Sequence, residues 1–241
     1  MTDQQLSKLN SVQHASLGVV RKYSKALGDD VMTCLVFTTE MRTLQGTYPL
    51  LMQHIDGNPV PLPVALLGVE NKENLFLCES DSGWAADTIP MMMQKGPFYI
   101  AKEQDKTGAS RTVIAVDEHH PKINAERGEP LFTEAGGHSP YLEQIIAVLE
   151  KIEASHPHTI DFANTLNNLE LITPLDFRCT LNDGSTHTLT GFFGIDEERL
   201  QKLPKDALAI LHEQGHLLPV FMMLASQSQV AKLLAKKNDR L

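Results

Sequence analysis

Cysteine is scarce in this chain: three residues in 241, at Cys34, Cys78 and Cys179. They are far apart, odd in number and never in a CxxC pair, which argues against a disulfide framework and against a thiolate zinc site. Each sits in an apolar stretch (TCLVF, LFLCE, DFRCTL), where a thiol serves as a small core residue; the usage fits a reducing compartment. Phosphate-cradling glycine patterns are also missing. No GxGxxG follows a strand and no GxxxxGK(S/T) occurs, so no nucleotide cofactor is expected. A GxSxG nucleophile elbow is absent too. The longest apolar run, Leu217–Ala225, falls well short of the ~20 residues that span a bilayer and contains Pro219. The N-terminus, MTDQQLSKLNSVQH, lacks the apolar core of a secretion signal. Positive charge is short as well: 21 Lys and Arg against 30 Asp and Glu, a net charge of -9. Binding to a phosphate backbone needs clustered cations. The lysines that do cluster, in Ala231–Leu241, suit a helix C-terminus complementing its own dipole. These absences predict a cytoplasmic protein with no nucleic-acid partner, no transmembrane segment and no cofactor.

What is present is an ordinary globular composition, 42% hydrophobic and 21% charged, with ample chain for a buried core. Val31–Phe37, Tyr48–Ile55, Leu62–Val69 and Asn74–Cys78 are short, apolar and punctuated by Pro and Gly, and read as strands. DGNP at Asp56–Pro59 marks a hairpin turn between two of them. Thr38–Gly46 and Trp84–Gln94 read as brief helices. Pro97–Lys102 and Arg111–Asp117 are two more strands, with the loop Glu103–Ser110 between them. Ser139–Pro140 supplies an N-cap and an N1 proline. Leu142, Ile145, Ile146 and Leu149 then recur at helical spacing, which predicts a helix over Tyr141–Ala154. Thr159–Asn168 is expected to form another. NDGS at Asn182–Ser185 joins Leu175–Leu181 to Thr186–Phe193 as a hairpin, and Asp196–Leu203, Lys205–Gln214 and Ser226–Lys237 close the chain as helices. Strands first, helices later and hairpins rather than βαβ units predict an α+β fold with a mostly antiparallel sheet. Residues 1–241 read as a single domain, with a possible sub-boundary in the polar loop His119–Gly137.

Three constellations could carry chemistry. His212-Glu213-Gln214-Gly215-His216 matches HExxH, in which two imidazoles on one helical face grip Zn²⁺ and the Glu activates its water. After His216 the chain offers no further His or Glu as third ligand, and Gly215 and Pro219 bracket the second His, so the helix is expected to end near Gly215. A chance match is the preferred reading. Asp117-Glu118-His119-His120 follows the apolar strand TVIAV, and carboxylates with His at a strand end can bind a divalent metal; a charged, solvated loop is the blander alternative. Trp84, the single Trp, could stack a ligand or serve as a packing anchor. Pro97-Phe98 and Leu131-Phe132 read as packing aromatics. Met91–Met93, with Met222 and Met223 near the C-terminus, would mark an interaction patch if exposed.

Longer phrases also occur in a fixed order: ENLFLCESDSGWAADTIP, GPF, RGEPLFTEAGGHSP, HTIDFANTLNNLELITPLDF, LNDGSTHTLTGFFGIDEERLQKLP and HEQGHLLPVFMMLASQSQVAKLL. Together, from about Glu40 to Leu234, they resemble the SapC family of bacterial proteins. The match at the late segment rests on Gly215, Leu217 and Leu218 and does not require the two His. It includes Trp84 and the acidic pair Asp117 and Glu118 but not His119 or His120. The resemblance implies an association with surface-layer protein export. It also implies accessory proteins encoded beside flavin-dependent halogenase-like and TonB-dependent outer-membrane systems. It brings no catalytic motif. The expected function is therefore a non-catalytic accessory protein that binds a halogenase-like or export component from its gene neighbourhood, with an oligomer possible. A metal-dependent enzyme using the acidic/His cluster and a small-molecule sensor using Trp84 are the competing expectations.

Overall fold

The structure, a computed structural model, describes residues 6–104, 108 and 110–241. Ten strands are seen among them: β1 (Leu6–Lys8), β2 (Gly18–Val19), β3 (Thr33–Leu35), β4 (Leu50–Gln53), β5 (Leu62–Leu66), β6 (Phe98–Gln104), β7 (Ser110–Asp117), β8 (Glu129–Pro130), β9 (Ile172–Thr180) and β10 (Thr186–Ile195). The helices are α1 (Met41–Leu44), α2 (Met91–Gln94), α3 (Pro140–Asn168), α4 (Glu197–Gln201), α5 (Lys205–Glu213), α6 (Leu217–Ser226) and α7 (Gln229–Asn238). The fold is α+β with antiparallel sheets and helices mostly in the C-terminal half, as expected. Residues group into two compact units that the chain visits alternately.

The first unit holds residues 1–30, 77–85 and 91–153. Its three-stranded sheet has the order β1-β7-β6 and is antiparallel throughout. β2 pairs with β8 separately. Phe98, Val116, Leu131, Phe132, Leu142 and Leu149 share one core, so the expected packing aromatics do pack, and the apolar face of α3 closes over them. That helix begins where Ser139 Oγ accepts the Leu142 N–H at 3.2 Å, with Pro140 in the first turn. The polar segment His119–Gly137 lies wholly within this unit. Of the expected β6–β7 loop, residues 105–107 and Ala109 lie outside the described residues, as do residues 1–5.

The second unit holds residues 31–76, 86–90 and 154–241. Its five-stranded antiparallel sheet runs β3-β5-β4-β10-β9. β5 is buried along its whole length, and Phe37, Met41, Tyr48, Phe162, Leu211 and Val220 fill the core. The NDGS hairpin forms as its sequence dictates. Asp183 Oδ1 accepts the Ser185 N–H at 2.9 Å and its hydroxyl at 2.6 Å, while Gly184 takes φ 84°.

Several element expectations need correction. Pro157 does not divide two helices: α3 runs through it for 29 residues, because an internal proline removes a hydrogen bond without having to end the helix. Asn74–Cys78 is not a strand; it runs through turns, with Leu77 in an isolated bridge to Trp84. Only Met91–Gln94 is helical in the stretch that begins at Trp84. The apolar run after His216 is itself a helix, α6, with Pro219 in its first turn, where a missing N–H costs nothing. α6 and α7 nearly adjoin, and by length and composition alone the 22 residues Leu217–Asn238 could cross a membrane. The uninterrupted apolar run understates that length.

Candidate functional site

The C-terminal end of β7 carries the acidic pair, and the fold surrounds it with buried polar groups. Asp117, the last residue of the strand, is 7% exposed. Its Oδ1 accepts the His119 N–H at 3.1 Å, which turns the chain sharply after the sheet. Glu118 Oε1 accepts from Ser7 Oγ at 2.5 Å and from Gln13 Nε2 at 3.3 Å. His14, 1% exposed, joins them. The Asn10 N–H points at its Nδ1 (3.0 Å), and its Nε2 lies 3.3 Å from the same carboxylate oxygen. The hydrogen bonds from Ser7 and His14 hold the Glu118 carboxyl below the usual range.

On the other side of the turn lies a buried ion pair that sequence reading missed. Lys122 Nζ sits 2.8 Å from Asp29 Oδ1, with the residues 4% and 4% exposed. Burial raises the Asp29 pKa and lowers that of Lys122, even against their mutual attraction. Desolvation therefore outweighs pairing on both sides, the common outcome for a buried pair. The same ammonium lies 3.9 Å from the centroid of the Tyr23 ring, a cation–π contact strengthened by the dry surroundings. His120 Nδ1 accepts the Lys122 N–H at 3.1 Å. Burial lowers its pKa first, Lys122 lowers it further, and Asp117 opposes both.

Tyr23 also connects the cluster to Trp84. The two rings meet edge to face at 5.2 Å, and Trp84 is 4% exposed. Gly83 makes that approach possible: at φ 76°, a Cβ there would lie 1.9 Å from the Tyr23 carbonyl oxygen. Trp84, Tyr23, Lys122 and Asp29 thus form one continuous line of contacts, with His120 and Asp117 beside it. Asp117 and Trp84, two of the three candidate binding residues, are closed to solvent, while Glu118 is occupied by partners from the N-terminal segment. The arrangement is a hydrogen-bonded, desolvated polar core with an aromatic wall. Nothing in local sequence pattern could have joined Asp29 to Lys122; only the separate burial of two charged residues identifies them.

The HExxH segment lies in the second unit and is split by the end of α5. The Gly215 N–H bonds the His212 carbonyl (3.0 Å) and the His216 N–H the Leu211 carbonyl (2.8 Å), with Gly215 at φ 72°. This is a Schellman ending. It leaves His212 exposed and turns His216 into the core, fully buried. Among the described residues no group of three His, Cys, Asp or Glu side chains is placed to hold a metal. His216 instead packs against His158 (5.0 Å between rings) and Phe162 (5.4 Å).

In comparison with known proteins, the family model described as SapC aligns with residues 9–233. The match starts well before Glu40, where the resemblance in the sequence phrases begins. No curated protein and no solved structure matches the chain.

Proposed function

The chain belongs to the SapC family, and on that premise we propose that it is a non-catalytic accessory protein that works by docking onto a protein partner. The setting proposed is a bacterial surface-layer or outer-membrane export system, with the chain itself on the cytoplasmic side. The observation that carries this reading is an exposed apolar face in the second unit. Leu218 and Phe221, one turn apart on the same side of α6, are each 55% exposed. Large apolar side chains held in water at neighbouring positions are the mark of an interaction surface, and Phe is enriched in the centres of such surfaces. The polar residues of the β7 cluster are meanwhile satisfied by one another.

The test is native-level co-purification from the host, comparing wild type with Phe221→Asp. An export or halogenase-like component recovered in stoichiometric amount with wild type, and lost with the folded variant, is the expected result. A partner held equally by Phe221→Asp, or a chain that purifies alone, would overturn the proposal.

A further inference from the structure

β9 is an outer strand of the five-stranded sheet. It pairs with β10 on one side and, among the described residues, with no strand on the other. The two ends of the β9–β10 hairpin show which backbone groups face the open side. At one end the Leu181 N–H bonds the Ser185 carbonyl (2.8 Å), and at the other the Leu171 carbonyl accepts the Asp196 N–H (2.9 Å). Both are odd positions, and an antiparallel ladder alternates. The register shift between Leu189 and Phe192 puts its extra residue on β10, so the alternation of β9 is unbroken. Odd residues of β9 therefore bond β10. The N–H and C=O groups of Asp176, Arg178 and Thr180 point to the open edge, as does the Pro174 carbonyl. Pro174, with no N–H to give, stands on the side where the existing ladder loses nothing.

The side chains alternate in the same way. Pro174, Asp176, Arg178 and Thr180 are exposed on one face, and Leu175 and Phe177 are half-buried on the other. Asp176 and Arg178 have no ion-pair partner among the described residues. A row of unpaired backbone groups is a template for another strand, and here the sequence selects the strand. Residues opposite one another in an antiparallel pair are either both hydrogen-bonded or both not. β9 laid against a second β9 can therefore pair only even positions with even. Centred on Phe177, such a pairing sets Asp176 opposite Arg178 of the second copy, and Arg178 opposite its Asp176. The next allowed register on either side sets Asp176 against Asp176 or Arg178 against Arg178, and like charges directly opposite are destabilising.

We propose that the chain forms a two-fold dimer in which β9 pairs antiparallel with β9 of a second copy, centred on Phe177. The two sheets become one. Asp176 and Arg178 exchange both main-chain bonds with Arg178 and Asp176 across the axis, and Thr180 donates to the Pro174 carbonyl. The two Phe177 side chains meet at the axis as a non-hydrogen-bonded pair, where cross-strand side chains come closest. A self-complementary patch of this kind is what a two-fold interface requires. It uses no residue of the α6 face and stands independently of the docking reading above.

Sedimentation velocity of the full chain over a concentration series tests it. Wild type should dimerise reversibly with a midpoint below about 100 μM. Asp176→Arg and Arg178→Asp each set like charges opposite one another. Both sites are exposed, so each variant should fold as wild type does, and each should weaken dimerisation about tenfold or more. Mixed in equal amounts, the two variants regain opposite charges at every pair and should form a heterodimer about as tight as the wild-type dimer. Phe221→Asp should leave dimerisation unchanged. A wild type that stays monomeric to about 100 μM, single variants that dimerise as tightly as wild type, or a mixture that stays monomeric would overturn the assignment. A dimer lost with Phe221→Asp would overturn it in favour of α6.

Discussion

His216 shows how much one residue can hide from a motif search. Its side chain is fully buried, yet among the described residues neither ring nitrogen finds a hydrogen-bond partner; the Asp161 carboxylate lies 3.5 Å from Nε2 without completing a bond. Burial lowers its pKa below the ordinary 6.5, the His158 imidazole adds to this, and Asp161 opposes it. A depressed folded pKa means the neutral ring is the form the fold holds. The stability that depends on it is complete above about pH 6.5 and is lost as pH falls through the depressed value. Urea denaturation between pH 8 and pH 5 should show this decline, and His216→Leu should flatten it while leaving stability at pH 8 equal or higher. An equally steep decline in the variant would assign it to other groups. The Asp29–Lys122 pair admits a different test. Asp29→Ala leaves a buried ammonium unpaired and should cost ~3–5 kcal/mol, whereas Asp29→Leu with Lys122→Met should cost far less or stabilise. A double variant as unstable as the single would mean that the pair does more than balance its own burial.

At the scale of elements, the legible parts are those with strong local chemistry. The NDGS turn, the Ser139–Pro140 helix start and the apolar repeat of α3 each act through neighbours in sequence, and each forms where expected. Pro157 and Pro219 mislead for different reasons: Pro219 stands in the first turn of α6, where its missing N–H has no partner to lose, whereas Pro157 gives up one interior bond that the rest of the 29-residue α3 tolerates. The expected strand at Asn74–Cys78 fails for another. Its backbone is held by other partners: Leu75 N–H by Leu67 O (2.8 Å), Cys78 N–H by Gly83 O (3.0 Å), and the Asn74 and Leu75 carbonyls by Arg240 (3.3 and 2.8 Å). The prediction at this scale concerns Gly83. Alanine there meets both a left-handed φ and the Tyr23 carbonyl, so Gly83→Ala should cost at least ~1–3 kcal/mol from the backbone alone. Denaturant titration with Trp84 fluorescence reads this directly, and a cost below ~0.5 kcal/mol would show that the Tyr23–Trp84 junction yields easily.

At the scale of the whole molecule, what sequence could not reveal is the interleaving. Residues 77–85 and 91–153 join the N-terminal 30 residues in one unit, while 31–76 and 154–241 make up most of the other. Pattern along the chain gives local elements but not which distant stretches share a core. That is why Trp84 and Asp117 stand out separately in the sequence, and why Tyr23, Asp29 and Lys122, which join them, do not stand out at all. The three cysteines acquire a use from the same arrangement. Cys78, half-buried, belongs to the first unit; Cys34 and Cys179, both buried, belong to the second. Under native conditions a maleimide should add a single label, at Cys78. Labels at the other two should appear only when the second sheet opens, so counting adducts by mass along a urea series would follow its opening without any engineered probe. The scarce thiols that ruled out a disulfide framework are thereby a clock for how the molecule comes apart.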